Sequence, residues 1–341
     1  MKKLIASVLA IALMAGLAGC SKEAPEQKPE TKKPTEVTVY SPHPADPLNA
    51  GVRLFEEKTG IKVNVVAAGT GELLKRIEAE KDNPLADVLW GGGAESLAAY
   101  NEYFDSFKST EDGVISAANK DAGGKWVGES PLPMVIMYNK KLVAEENIPT
   151  GWEDLLKPVF KGQIAYADPA KSGSSFTILA TMVTAFGGKE KGWDFIKQFV
   201  ANLDGKVLGS SSGVYKGVYD GEYAVGLTLE KSAQEYVKAD PDKVGFIYPK
   251  EGTSTVPDGI ALVKGAKNKE AAEIFINFML SAENQKMMAE TYNRRPVRSD
   301  LPAPEGLIPL NEIKVVDYDF AWASGSKAEI LEEWKNIIVG E

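Results

Sequence analysis

The chain has 341 residues, a formal net charge of −9, one histidine and one cysteine. Acidity without any basic block excludes nucleic acid as a partner. A single cysteine excludes an internal disulfide framework, and a single histidine excludes a histidine metal cluster.

The chain opens on MKKLIASVLAIALMAGLAGC: two lysines, an apolar core from Leu4 to Met14, then small residues. This is the layout of a secretory signal, and the apolar run is shorter than the roughly 20 residues of a membrane span. Leu17-Ala18-Gly19-Cys20 resembles a bacterial lipobox, which implies removal of residues 1–19 and a lipid on Cys20. The mature formal charge is then −11, because Lys2 and Lys3 leave with the signal. Residues 20–36 hold lysine, glutamate and proline but no large apolar side chain, so they read as a flexible tether. The expected protein is extracytoplasmic and lipid-anchored to a cell-membrane surface, and it works as a monomer without a cofactor.

From Val37 the pattern alternates strands and helices. Strands are expected at Val37–Ser41, Ile61–Val66 and Asp87–Trp90, with helices at Asn49–Lys58 and Gly71–Lys81 between them. This βαβαβ order predicts a largely parallel sheet covered by helices. Pro133–Tyr138 is an apolar run that crosses to a second unit. There, strands are expected at Gln163–Ala167, Glu222–Leu229 and Val244–Tyr248, and helices at Ser174–Phe186, Gly192–Leu203 and Lys231–Lys238. Asp258–Val263 crosses back, followed by helices at Lys269–Leu280, Ala282–Tyr292 and Ser326–Ile338. Two α/β lobes follow, one from residues 37–135 plus 260–341 and the other from 136–259. Two crossings suggest a cleft that opens about a hinge.

Ligands of open α/β sheets sit beyond the carboxyl ends of the strands. The loops at those ends share a chemistry: Ser41-Pro42-His43-Pro44, Ala68-Gly69-Thr70-Gly71, Lys171-Ser172-Gly173-Ser174-Ser175 and Gly209-Ser210-Ser211-Ser212-Gly213. Three of them run into helices. A helix start offers free N–H groups and partial positive charge, which suits a phosphate, phosphonate or carboxylate. The competing reading is an ordinary serine N-cap. Glu230, just after a strand, is either a first-turn helix acid or a group that reads ligand hydroxyls or an ammonium. Asp258 and Glu95 are weaker candidates of the same kind, and His43 is either a loop residue or a donor to the anion. No Walker motif or dinucleotide fingerprint occurs, and one histidine and one cysteine leave no Cys/His pair in the folded body, so no catalytic residue or metal ligand is assigned and the chain is not expected to be an enzyme.

The stretches VTVYSPHP, FEEKTGIKVNVVAAGTGELLKRIEAEKDNPLADVLWGGG, WEDLLKPVFKGQIAYADPAKSGSS, VYKGVYDGEYAVGLTLE, YPKEGTSTVPDGIALVKGAKN and NRRPVR resemble bacterial ABC-transporter solute-binding proteins. The likeness covers nearly all of residues 37–300. It points to the branch holding ferric-iron, hexose-phosphate and phosphonate binders. It implies a two-lobe periplasmic-binding-protein fold of type II that captures a solute and hands it to an ABC permease. Ferric members carry adjacent tyrosines where this chain has Leu229 and Glu230, so the resemblance weakens iron. Hexose-phosphate members carry a histidine-aspartate pair that is missing here, although Glu230 matches their glutamate.

The expected solute is a small organic anion, phosphorylated or a phosphonate. Ser41, His43, Thr70, Gly71, Ser172, Gly173, Ser174, Ser211, Ser212, Glu230 and Asp258 are the expected ligand-binding residues. The alternatives are a ferric-iron receptor and a secreted phosphate-ester hydrolase.

Overall fold

The computed structural model describes residues 34–340, so the signal, Cys20 and the tether up to residue 33 lie outside the described residues. In chain order the elements are β1 (Glu36–Ser41), α1 (Ala45–Thr59), β2 (Lys62–Ala67), α2 (Thr70–Ala79), β3 (Val88–Gly93), α3 (Ala94–Ala98), β4 (Phe104–Asp105), β5 (Val127–Pro131), β6 (Met134–Asn139) and β7 (Ile164–Ala165). There follow α4 (Gly173–Ala185), α5 (Gly188–Leu203), α6 (Ser211–Asp220), β8 (Val225–Leu229), α7 (Glu230–Ala239), β9 (Val244–Ile247) and β10 (Pro257–Val263). The last helices are α8 (Lys269–Met279), α9 (Ala282–Tyr292), α10 (Phe320–Gly325) and α11 (Lys327–Val339).

Two sheets organise these elements. The first runs β2-β1-β3-β10-β4, with β5 also paired to β10, and the second runs β7-β8-β6-β9. In the first sheet β1 is parallel to β2 and β3, while β10 returns antiparallel. In the second only β7 and β8 run parallel. The chain passes from one sheet to the other between β5 and β6, and again between β9 and β10.

Alternating side chains give each sheet two apolar faces. Val37, Val39, Val88 and Trp90 pack with Phe55 and Phe275 on one face of the first sheet. Tyr40 and Leu89 pack with Leu73 and Leu74 of α2 on the other. In β6, Met134 and Ile136 enter the core beneath α4 and α5, whereas Val135 and Met137 meet Val214 and Val218 of α6. Helices therefore cover both faces of both sheets, as the near-continuous apolar strands require.

Several boundaries differ from the sequence reading. Helix α1 starts at Ala45, because Pro44 sits at its N-cap and Pro47 is tolerated in the first turn. Strand β8 starts only at Val225, since Glu222 and Tyr223 are drawn into the turn that closes α6, donating to Gly217 O. Strand β5 was not expected at all: its Val-Gly-Glu-Ser-Pro sequence breaks the apolar pattern, yet all five residues are buried. The C-terminal assignment also needs correction. Ile330 and Trp334 lie in the core of the second sheet, with Trp334 edge-on to Tyr166 at 5.5 Å, so α11 packs on the second half, while α10 spans both, Ala323 entering that core and Phe320 lying 5.6 Å from the Trp126 ring on the first. An amphipathic helix shows in sequence that it docks, but not on which sheet.

Helices α4 and α5 cross closely at Gly192, where an added Cβ would lie 2.1 Å from the backbone oxygen of Val183. Backbone cannot yield as a flexible side chain can. Gly192→Ala is therefore expected to destabilise by about 1–3 kcal/mol despite Ala's better helix propensity, read as a lower urea midpoint at unchanged m-value.

Candidate functional site

The glycine run that ends β3 draws two loops together. Gly91 and Gly92 have φ of +110° and +90°, and a Cβ on them would lie 2.8 Å from the His43 ring and 2.6 Å from Thr70 Cγ2. Only glycine satisfies both the left-handed backbone and the close approach. His43 stands edge-on to Trp90 at 5.0 Å, and Ser41 Oγ donates to Trp90 O at 2.7 Å while accepting from His43 N at 3.3 Å. The Ser41 hydroxyl thus ties the end of β1 to β3.

Beneath this lies a buried charge network. Arg294 Nη2 donates to Glu129 Oε1 and, at 3.1 Å, to Asp258 Oδ2. Lys231 Nζ lies 3.5 Å from the same Asp258 oxygen. His43 Nε2 is 3.2 Å from Glu129 Oε1 and its Nδ1 is 3.9 Å from Asp258 Oδ2, but Nε2 makes no aligned hydrogen bond. Burial, reinforced by Arg294, lowers the His43 pKa, so the ring is neutral at pH 7. Burial acts to raise the Asp258 pKa, but Lys231 and Arg294 outweigh it and hold the value down to about 2. Burial lowers Lys231 to about 8, and Arg294 adds to the effect. Two carboxylates against two cations leave the network neutral. Arg294 Nη1 is buried without a hydrogen-bond partner among the described residues.

Glu230 is almost fully buried at the start of α7, and its carboxylate is fully engaged. Arg295 donates from Nε at 2.7 Å and from Nη2 at 2.8 Å, and the Tyr248 hydroxyl donates to Oε1. Arg295 follows α9, in the first half, whereas Glu230 belongs to the second. The pair therefore crosses the seam between the sheets. Lys238 Nζ does the same, donating to Asn293 Oδ1 at 2.6 Å.

The serine-rich loops do cap helices. Ser172 Oγ accepts from Ser175 N at 3.3 Å and contacts Ser174 Oγ at 3.1 Å; Ser210 Oγ accepts from Gly213 N at 3.4 Å and contacts Ser212 Oγ at 3.0 Å. Ser211 is half-buried in the first turn of α6. The starts of α2 and α4 meet across the seam: a Cβ on Gly173 would lie 3.2 Å from Thr70 Oγ1, and one on Gly71 would lie 3.7 Å from Ala170 O. Helix α4 has no acid in its first turn, and Glu72 of α2 points to solvent. Two positive helix ends thus face one another.

A second polar cluster spans the same seam. Thr177 Oγ1 of α4 donates to Glu95 Oε1, while Glu95 Oε2 has no hydrogen-bond partner among the described residues. Burial raises the Glu95 pKa. Lys327 Nζ of α11 donates to Ser96 Oγ at 2.6 Å and lies 4.6 Å above the Phe176 ring.

Ser41, His43, Thr70, Gly173 and Asp258 thus gather around the end of β3, together with Gly71 and the Ser172–Ser174 turn. Glu230 lies in the adjoining ion pair, and Ser212 bonds within its own turn. Sequence reasoning passed over Glu129, Lys231, Arg294, Arg295 and Tyr248. The available signal was Asn293-Arg294-Arg295, two arginines in an acidic chain after an asparagine that adopts φ +53° to close α9.

A family model described as bacterial extracellular solute-binding protein matches residues 83–323. Iron uptake protein A1 of Synechocystis is 28% identical over 302 residues, covering 82% of this chain and 80% of that protein. A putative 2-aminoethylphosphonate-binding periplasmic protein of Salmonella typhimurium is 29% identical over 281 residues, covering 78% and 80%. Among solved structures, the periplasmic binding protein AfuA of Actinobacillus pleuropneumoniae with exogenous fructose-6-phosphate bound superposes with a TM-score of 0.83. It shares 25% identity over 90% of this chain and 99% of that one.

The charge network makes two stability predictions. Glu230→Ala strands a buried guanidinium, so it should cost about 3–5 kcal/mol by denaturant unfolding. Asp258 titrates near 2 when folded against 3.8 unfolded, so its contribution is present above about pH 4 and disappears as pH falls toward 2. Lys231 titrates near 8 when folded against 10.5 unfolded; the unfolded chain binds the extra proton, so stability should rise between those values. Unfolding free energy measured against pH should show both arms, and Lys231→Met should flatten the alkaline one.

Proposed function

The chain belongs to the bacterial extracellular solute-binding proteins, with the type II periplasmic-binding-protein fold, and we propose that its solute is a small organic anion carrying a phosphate or phosphonate. As such a protein it works outside the cytoplasm and delivers its solute to an ABC permease. The observation that carries the anion reading is the meeting of α2 and α4. Two helix starts with partial positive charge abut across the seam at Thr70 and Gly173, with no acid from either first turn directed between them. An anion between them would accept from both sets of free N–H groups and relieve their mutual repulsion. The unpaired Nη1 of Arg294 and the neutral His43 ring add donors nearby. The Salmonella relative and the sugar-phosphate complex of AfuA support the same chemistry.

The ferric reading has one observation in its favour. His43, Glu129 and Asp258 can each offer a ligand atom within 4.8 Å of the others. Arg294, however, already bonds both carboxylates, and Lys231 stands beside them. A trivalent cation would enter against two buried positive charges, so the anion is favoured.

Thermal unfolding with a panel of phosphate, phosphonates, sugar phosphates, neutral sugars, polyamines and ferric citrate tests the proposal. A ligand at a hundredfold excess over its dissociation constant stabilises by about 2.7 kcal/mol. Phosphorus anions should raise the melting temperature and neutral sugars should not. A shift produced only by ferric citrate, with a phenolate or carboxylate charge-transfer band, would favour the metal.

A further inference from the structure

Glu129, Asp258 and Glu230 each have an arginine at bonding distance, whereas Glu95 has no such cation among the described residues. Glu95 is fully buried at the start of α3, in the first half, and its hydrogen-bond partner Thr177 belongs to α4 of the second. Its Oε2 has no partner among the described residues, and the Tyr318 hydroxyl, just before α10, is buried in the same condition. The opposing charge is Lys327 of α11, whose ammonium is bonded to Ser96 Oγ at 2.6 Å and rests over the Phe176 ring rather than on the carboxylate. Burial raises the Glu95 pKa and Asp258 adds to this, while Thr177, the backbone N–H of Glu95 itself and Lys327 offset it only in part. Burial likewise brings Lys327 down to about 8, with Glu95 pulling the other way. The hydrogen count at Thr177 points in the same direction. A hydroxyl has one hydrogen, but Thr177 Oγ1 has two oxygens in reach, Glu95 Oε1 and, at 3.1 Å, Gly173 O. An ionised Glu95 competes with the carbonyl for that hydrogen. A protonated Glu95 donates to Thr177, which is then free to donate to Gly173 O, and both contacts become hydrogen bonds.

We propose that Glu95 binds a proton when the two halves meet and donates it to Thr177, so that this contact is a latch that tightens as pH falls. The latch is independent of which solute the protein carries. With the halves apart, water solvates Glu95 as an ordinary carboxylate. Bringing α4 over it removes that water without supplying a bonded cation, and a buried charge so placed neutralises instead. Glu230 and Asp258 stay charged at the same seam because Arg295, Arg294 and Lys231 stand against them. The sign follows from proton binding. A carboxyl raised above 4.5 makes the joined form bind the extra proton, so its contribution is complete below about 4.5 and is lost as pH rises through the joined value. The groups that face Glu95 are Thr177 from α4, Lys327 from α11, Tyr318 from the segment before α10 and Asp258 from β10. Asp258 titrates near 2 and Lys327 near 8, and burial pushes Tyr318 well above its ordinary range, so within this cluster Glu95 alone changes charge between those limits. A protein outside the cytoplasm meets the pH of its surroundings, and the latch ties the grip of the cleft to that acidity.

Infrared difference spectra and small-angle scattering of the solute-free full chain, titrated from about pH 5 to about pH 8, test the latch. A protonated-carboxyl band should fade as pH rises, and the radius of gyration should grow in step with it. Glu95→Gln, whose amide donates to Thr177 at any pH, should abolish the band and hold the radius at its low-pH value throughout. Lys327→Met removes the opposing cation, so it should move both midpoints to higher pH, which keeps the test open if Glu95→Gln does not fold. A wild-type chain with no such band, a radius that does not follow it, or a pH dependence that survives Glu95→Gln or keeps its midpoint in Lys327→Met overturns the latch. None of these outcomes touches the anion reading, because no solute is present.

Discussion

Arg294 sits where the two crossing strands lie side by side. Strands β5 and β10 are paired antiparallel, with Asp258 opposite Ser130, and each delivers one acid, Glu129 and Asp258, to the same buried space. Two ionised carboxylates there would repel each other and lack solvation. One guanidinium bonded to both turns that liability into a joint between the strands. Both strands lie in the first sheet, β5 just before the chain leaves for the second and β10 just after it returns, so this joint ties the two crossing points together. Lys231, reaching from α7, extends it into the second half.

Ion pairs of this kind contribute little net stability, because the desolvation cost roughly cancels the attraction. Their effect here would fall on any separation of the two halves. Glu230 with Arg295 and Lys231 with Asp258 join residues of opposite halves, and each partner recovers hydration if the halves separate. Closure from a separated form would therefore exchange water contacts for ion pairs at small net gain. A near-balanced equilibrium of that sort is one that a solute can tip, provided it binds the closed form better than the open one. A purely apolar seam would lack this balance, since opening would expose it at a steep cost in free energy.

The first three strands and the two helices between them were legible because apolar periods of two and 3.6 were clean from Val37 to Trp90. The loops after those strands were legible for the same reason. Strand β5 was not, because a buried glutamate reads as a surface residue until its partner is known, and that partner lies 165 positions away. Arg294 and Arg295 were hidden for the reciprocal reason. The serine turns were read both as caps and as anion sites, and the hydrogen bonds of Ser172 and Ser210 establish the capping half. Capping uses the side-chain oxygens and leaves other first-turn amides free, so the two roles do not exclude one another.

The same arithmetic bears on the metal. By proximity alone His43, Glu129 and Asp258 form a group that a hard cation would accept. Proximity is a poor guide when the charges are already matched. Burial and Arg294 keep His43 neutral, Arg294 and Lys231 cancel the two acids, and a guanidinium occupies the place between the carboxylates. Glu230, at the position where the resemblance sets a ferric tyrosine, is held on both oxygens by Arg295 and Tyr248. A ferric ion would have to displace two arginines and leave them buried without partners. An anion at the helix starts would displace neither arginine, since both ion pairs lie apart from the Thr70 and Gly173 backbone.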